Sequence, residues 1–255
     1  MSEPAVRCDV AGSVLVITIN RPHARNAVNR AVSEGIAAAL DRLDATPEIV
    51  AAVLTGAGGT FCSGMDLKAF PDAGLPVGGT RGFGGVTGRP PEKPLIAAVE
   101  GYAVAGGFEI ALAADLIVAA DDAVFGLPEV KRGLIASAGG LVRLGLSLPY
   151  QAALRIALTG EPVDARELYR HGVVAKLTPP GAALEVALEL GESIGAHAPL
   201  AVAASKRLVR AAAGWGDAGL FHMQDEDAVA VLASADALEG ARAFTEKRLP
   251  VWRGC

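Results

Sequence analysis

The chain has 255 residues, enough for one large domain or a main domain with a smaller appendage, and its 51% hydrophobic and 20% charged residues describe a globular protein rather than a disordered one. A formal charge of -5 disfavours a broad nucleic-acid footprint while leaving room for a local basic pocket that takes a phosphorylated small molecule. The 3 cysteines and 4 histidines lack metal-ligand spacing, the N-terminus lacks a signal-peptide pattern, and no apolar run is long enough to span a bilayer, so a reduced, metal-free, cytoplasmic protein is expected.

In chain order, "SVLVITIN" (Ser13 to Asn20) reads as a buried strand that cannot continue past Pro22. From Val28 to about Asp44, Val32, Ile36, Leu40 and Leu43 recur at spacings of three and four and predict an amphipathic helix. "IVAAVLTG" (Ile49 to Gly56) reads as the next buried strand. The same strand, loop and helix order returns at "PLIAAVEG" followed by "GGFEIALAADL", and a further strand pair is expected in "LIVAADDAVFG". An α/β fold with largely buried strands follows.

Between Pro71 and Pro91 lie seven glycines and four prolines, a density that predicts no regular element, only a mobile loop: a passive linker or part of a binding pocket. Beyond Gly160 the texture turns helical, at "DARELYRHG", "AALEVALELGESIGA", "LAVAASKRLVRAAA" and "DALEGARAFTEKR". The small apolar and charged faces of these helices suit packing within the chain or on a second subunit.

Two glycine-containing turns carry the first chemical signal. In "GTFCSGMDLKAF" a turn at Ser63 and Gly64 follows a strand and presents backbone N–H groups, which serve either a cleft or nothing beyond the turn itself. In "GYAVAGGFEIALAADL" a helix opens among Ala105, Gly106 and Gly107, where unpartnered N–H groups favour negative charge. One N–H from each turn would form an oxyanion hole, in which glycine keeps side chains out of the way.

Glu109 follows Gly106 by three residues on that helix, and its apolar neighbours would desolvate the carboxylate and raise its pKa, as suits a general acid or base. The competing role is an N-terminal helix glutamate stabilised by the macrodipole. Glu129, in "FGLPEVKRGL", is a second acid in loop-adjacent surroundings. It is either half of an acid/base pair or a surface acid paired with Lys131 or Arg132.

Taken together, "RPHARNAVN", "GAGGTFCSGMDLKAF", "PLIAAVEGYAVAGGFEIALAADLIVAA", "FGLPEVKRGL" and the tail "EGARAFTEKRLPVW", in this order over nearly the whole chain, resemble the enoyl-CoA hydratase/isomerase, or crotonase, superfamily. The resemblance implies a crotonase-like core of repeated ββα units over residues 1–195 and a helical C-terminal region over 196–255 that drives assembly into a homotrimer or a hexamer built as a dimer of trimers. It implies an acyl-CoA thioester substrate in lipid metabolism, no nucleic acid or membrane partner, and no metal or other cofactor, coenzyme A being part of the substrate. Met65 and Gly106 match the oxyanion-hole donors, and Glu109 and Glu129 the two glutamates that orient and activate water. Ala24, Arg25 and the turn of Gly64, Asp66 and Leu67 match positions that hold coenzyme A, with Asp66 and Lys68 also readable as structural. Phe244 and Lys247 match positions that reach the coenzyme A of a neighbouring subunit.

The implied reaction is addition of water across the 2,3 double bond of an enoyl thioester, Glu129 protonating the α-carbon while Glu109 holds and deprotonates water. One departure stands out: "GLIASAGG" carries Ala136 and Ser137 where the family commonly has a Pro-Gly pair, which leaves open an unusual substrate or another thioester reaction. "GGFEIALAAD" and "LPEVKRGL" also resemble the carnitinyl-CoA dehydratase branch. The remaining readings are a double-bond isomerase, a hydrolase or decarboxylase of the superfamily, and a silent acyl-CoA-binding protein. A dinucleotide-binding oxidoreductase is set aside because "GYAVAGG" is not a GxGxxG pattern.

Overall fold

The computed structural model of the chain describes residues 3–67, 76–132, 134–212 and 234–255. An antiparallel hairpin, β1 (Val6–Ala11) and β2 (Val14–Ile19), opens the chain. All six residues of β2 are buried, which is why that strand reads as a continuous apolar run rather than an alternating one. Asn29 caps α1 (Arg30–Ala45) by accepting the Val32 N–H, so the helix begins two residues later than its apolar period suggests. β3 (Ala51–Gly56) then lies parallel to β2.

Two further ββα units follow. In each, the first strand joins the sheet of β2 and β3 and the second starts another sheet. The first unit is β4 (Leu95–Val99), β5 (Tyr102–Val104) and α2 (Gly106–Ala113). The second is β6 (Leu116–Ala120) and β7 (Val124–Gly126), followed by a 3-10 turn at Pro128–Arg132 and then α3 (Gly140–Ser147) and α4 (Tyr150–Thr159). Neither α3 nor α4 is foreseen in the sequence reading. Next come β8 (Val163–Asp164), α5 (Ala165–Arg170), β9 (Lys176–Thr178), α6 (Ala183–Gly195), α7 (Pro199–Ala212) and α8 (Ala235–Glu246). The C-terminal third is therefore not purely helical, because β9 closes the edge of the larger sheet.

That sheet runs β1-β2-β3-β4-β6-β9, parallel from β2 onward; the smaller one runs β5-β7-β8. Period-two alternation divides the side chains of the larger sheet between two cores. Leu15, Ile17, Leu54, Ala97 and Ile117 meet the apolar stripe of α1 and the buried face of α2, while Val14, Val53, Ile96 and Val118 lie under Ala183 and Ala187 of α6. The Glu100 carboxylate accepts the Gly181 and Ala183 N–H groups and so fixes the start of α6.

The glycine-rich stretch departs from expectation. Of Pro71 to Pro91, residues 71–75 fall outside the described residues, but 76–91 are packed rather than loose. Buried Arg81 donates to Asp41 (2.8 Å) and Asp44 (3.0 Å) of α1 and to the Arg89 carbonyl. Gly85, at φ +68°, lies so close to α1 that a Cβ would fall 2.2 Å from the Ser33 carbonyl oxygen. Here the glycines let backbone lie directly on a helix, which composition cannot distinguish from looseness.

Asn26 locks the segment that leads into α1. It is fully buried in the left-handed region (φ +56°), its Nδ2 donates to the carbonyls of Ala57 (2.8 Å) and Thr60 (2.6 Å), and its Oδ1 accepts the Arg21 N–H. Asn26→Ala would leave those backbone groups without their partner, so a stability loss of about 3 kcal/mol is expected. Urea unfolding should show it as a lowered midpoint at unchanged slope; a midpoint equal to that of the unmutated protein would mean that the loop holds itself.

Candidate active site

The loop fixed by Asn26 runs beside the turn after β3. Val28 donates to the Gly64 carbonyl (2.8 Å) and accepts the Asp66 N–H (2.9 Å), while Ser63 donates to the Arg25 carbonyl. In this parallel register the N–H of Met65 points away from Val28. Across from it, Ala105 stands at φ +53° and ψ -131°, a strained backbone for a residue with a Cβ, and turns the chain from β5 into α2. The Ala105 carbonyl accepts the Phe108 and Glu109 N–H groups, which leaves Gly106 at the open end of the helix. Among the described residues, no acceptor is bonded to the N–H of Met65 or of Gly106.

Both residues line a cavity of about 1080 Å³, and so do Glu109 and Glu129. Glu109 is 4% exposed, and its Oε1 accepts the N–H groups of Ala138 (2.8 Å) and Gly140 (2.9 Å). These donors lie just before α3 and at its first residue, so the carboxylate is not a cap of its own helix. Gly140 is tied to this contact, since a Cβ there would fall 2.6 Å from Glu109 Cγ. Burial pushes the Glu109 carboxyl above its ordinary value, against the opposing pull of the Gly140 and Ala138 amides and the Arg143 charge.

Glu129 sits in the 3-10 turn, and its Oε2 is buried without a hydrogen-bond partner among the described residues. Burial raises its pKa too; its own N–H opposes this, the negative charge of Glu109 adds to it, and Arg132 opposes it. Glu129 forms no ion pair with Lys131 or Arg132. The two acids thus share a cavity but differ in environment: one carboxylate is met by two amides, the other has an oxygen with no donor.

Arg25 and Leu67 also line this cavity, and both are exposed at its mouth. Ala24 and Gly64 form the flanking turns without lining it, and Asp66 is held by Arg21 (2.9 Å) in a half-buried ion pair. Lys68 lies outside the described residues. Lys247, exposed at the end of α8 with φ +53°, is not among the cavity-lining residues, and Phe244 falls within α8 with its side chain outside the described residues. Ala136 is buried and Ser137 faces the cavity, yet the amides bonded to Glu109 come from Ala138 and Gly140, beyond the altered pair. The cavity wall opposite is the packed glycine-rich segment, through Val77, Phe83 and Thr87.

Arg132 and Arg143, which sequence reasoning missed, line the same cavity. Arg143 occupies the first turns of α3, where a cation opposes the helix dipole, but with α3 itself unforeseen that misplacement gave a sequence reader no signal. Cys62 next to the turn is fully buried and its thiol is pushed up to about 12, which leaves it inert as a nucleophile. Among the described residues there is no cluster of three metal-ligating side chains, and no helix is long and apolar enough to cross a membrane.

The chain resembles known proteins along nearly its whole length. The family model for enoyl-CoA hydratase/isomerase matches residues 9–255. The chain is 41% identical to enoyl-CoA hydratase EchA19 of Mycobacterium tuberculosis, over 98% of this chain and 96% of that protein. It is equally 41% identical to carnitinyl-CoA dehydratase of Salmonella typhi, over 95% and 96%. A crystal structure of enoyl-CoA hydratase EchA1 from Mycobacterium marinum superposes with a TM-score of 0.96 at 53% identity, over 99% of this chain and 100% of that one.

The raised carboxyls have a cost in stability whose sign is fixed. Between the ordinary value of 4.5 and the raised folded value, the folded state binds more protons than the unfolded one, so stability falls as pH rises through that window and stays lowered above it. Glu129→Gln removes its share of the penalty. The variant should melt at a higher temperature than the unmutated protein at pH 8 and lose that advantage at pH 4; an advantage independent of pH would contradict the linkage.

Proposed function

The chain belongs to the enoyl-CoA hydratase/isomerase family, and from that premise we propose that it catalyses the reversible hydration of a 2-enoyl-CoA thioester to the 3-hydroxyacyl-CoA. The observation that carries the reading is the pair of glutamates with opposite surroundings, Glu109 buried and Glu129 half-buried with its Oε2 inside, facing one cavity together with two amides that have no acceptor among the described residues.

In this reading the thioester oxygen accepts the N–H groups of Met65 and Gly106, which stabilise the negative charge that develops as the thioester becomes enolate-like. The environments divide the roles. Glu109, met by two amides and a nearby guanidinium, is the better held as an anion and takes the proton from water as its oxygen bonds to the β-carbon. Glu129, whose Oε2 has no donor, is the better held neutral and delivers its proton to the α-carbon. The reaction leaves Glu109 protonated and Glu129 ionised, and proton exchange with solvent restores the pair. No metal or redox group enters the scheme, and coenzyme A takes part only as the substrate's carrier.

Arg25 at the cavity mouth supplies a guanidinium for a coenzyme A phosphate, with Ala24, Gly64, Asp66 and Leu67 shaping the turns beside it. Residues 1–195 carry this chemistry. Residues 196–255 drive assembly into trimers or hexamers, in which Phe244 and Lys247 reach the coenzyme A of a neighbouring subunit. Exposed apolar side chains outside the cavity lining, such as Tyr150, Leu158 and Val209, support an assembled state.

Dehydration of a carnitinyl-CoA-like hydroxyacyl thioester is the second reading, favoured by the equal identity to that relative. It uses the same groups in reverse.

Loss of the conjugated-thioester absorbance of crotonyl-CoA is the test. The unmutated protein should hydrate it, and Glu129→Gln should do so about 10²-fold more slowly or worse while still binding the ester. Full turnover by that variant removes Glu129 from the mechanism, and inertness of the unmutated protein toward short and bulky enoyl-CoAs alike removes hydration. Light scattering should give a mass of three or six chains; a monomer would refute the assembly.

A further inference from the structure

Arg143 is half-buried on α3 and lines the cavity, and it is the group that joins the cavity's two walls. Its Nη2 donates to the Thr87 carbonyl (2.6 Å) in the glycine-rich segment, and its Nη1 donates to the Ala138 carbonyl (3.3 Å). The N–H of that same residue, Ala138, is one of the two donors on Glu109. Thr87 is itself fixed, its hydroxyl bonded to the Phe83 carbonyl, and the segment is anchored to α1 through Arg81. Two of five guanidinium donors are thus used on carbonyls, and no carboxylate lies within ion-pair distance of Arg143 among the described residues.

We propose that Arg143 is a positioning residue for Glu109, tying the pocket wall at Thr87 to the Ala138–Gly140 amides that hold the Glu109 carboxylate. This rests on the hydration reading for its catalytic meaning, though not for its geometry. The arrangement makes two demands that one side chain meets. The segment between Ala136 and Gly140 has to stay in place for its amides to converge on one oxygen, and a planar fork spanning two carbonyls on different segments does this. The buried anion also needs a positive charge that does not bond to it directly, because a direct ion pair would occupy the oxygen that has to receive a proton from water.

The charged groups that act on this site are Glu129 and Arg132 from the turn before α3, Arg143 from α3, and Arg210 from α7, whose positive charge acts on Arg143. The Glu109 charge raises the tendency of Glu129 to hold a proton, and the Arg143 charge lowers that of Glu109, so removing the guanidinium moves the Glu109 titration to higher pH. Losing the tether weakens the two amide bonds and acts in the same direction. A role confined to packing α3 would change the melting temperature and leave the titration where it was.

The test uses the full chain with 13C-labelled glutamate, the Glu109 carboxyl resonance being assigned from its absence in Glu109→Gln. In Arg143→Gln the resonance should titrate at higher pH than in the unmutated protein, and the acidic limb of kcat/KM should move the same way. Arg143→Lys keeps the charge but lacks the fork. It should titrate nearer to the unmutated protein while its kcat falls between about 10- and 10²-fold, the size of effect expected when catalytic geometry slips. An unshifted Glu109 titration in Arg143→Gln overturns the proposal. If that variant does not fold, Arg143→Lys decides, and an unchanged kcat overturns the positioning role. A shifted titration in a protein that hydrates no enoyl-CoA would refute the reaction and leave the positioning of Glu109 standing.

Discussion

A carboxylate removed from water has to be met by donors from the protein, and the burial of Glu109 is the requirement from which the rest of the site follows. Its helix, α2, is short and apolar, so nothing on that helix can meet it. The donors come instead from Ala138 and Gly140, thirty residues further on, which forces the chain after β7 to return across the open end of α2. Gly140 has no side chain because the carboxylate stands where a Cβ would go. α3 begins there for the same reason, and Arg143 in its first turns stands within reach of two segments at once.

The two-sheet arrangement does the rest of the positioning. Each of the two later ββα units sends its first strand to the larger sheet and its second to the smaller, while β1 and β2 both stay in the larger one, and the turns between strand and helix gather on one side of the molecule. The turn after β3 and the turn after β5 therefore face each other with Met65 and Gly106 at their apices, and Glu129 arrives from the turn after β7. Strain at Ala105 is local to this gathering and is held in place by the Ala105 N–H bond to the Gly126 carbonyl of the neighbouring strand.

Features with a local period were legible in the sequence. The stripe on α1, the buried run of β2 and the glycine-opened helix at α2 are set by neighbours three or four residues away. The acids Glu109 and Glu129 could be singled out because each is a charge in apolar company, and motif order supplied the link between them. Features decided by partners far along the chain were hidden. Arg81 looks like a loop residue until Asp41 and Asp44 are placed against it, and the glycines around it look mobile until α1 is seen beneath Gly85. Likewise, Asn26 as a clamp, β9 as a sheet edge and Arg143 as a bridge depend on contacts that no window of sequence contains.

One feature of the pocket bears on how such a protein can be redirected. The groups holding Glu109 are main-chain N–H groups, and the acceptor for Arg143 on the opposite wall is the main-chain carbonyl of Thr87, so the side chains at Val77, Thr87 and Ser137 shape the space without supplying those bonds. A combinatorial library at Val77 and Ser137 would vary the size and polarity of the cavity while keeping the hydrogen-bonded frame of the acid, whereas the Thr87 hydroxyl also bonds the Phe83 carbonyl and helps to hold its segment. The separation between a frame made of backbone and a lining made of side chains is what makes this scaffold suited to laboratory evolution toward new ligands.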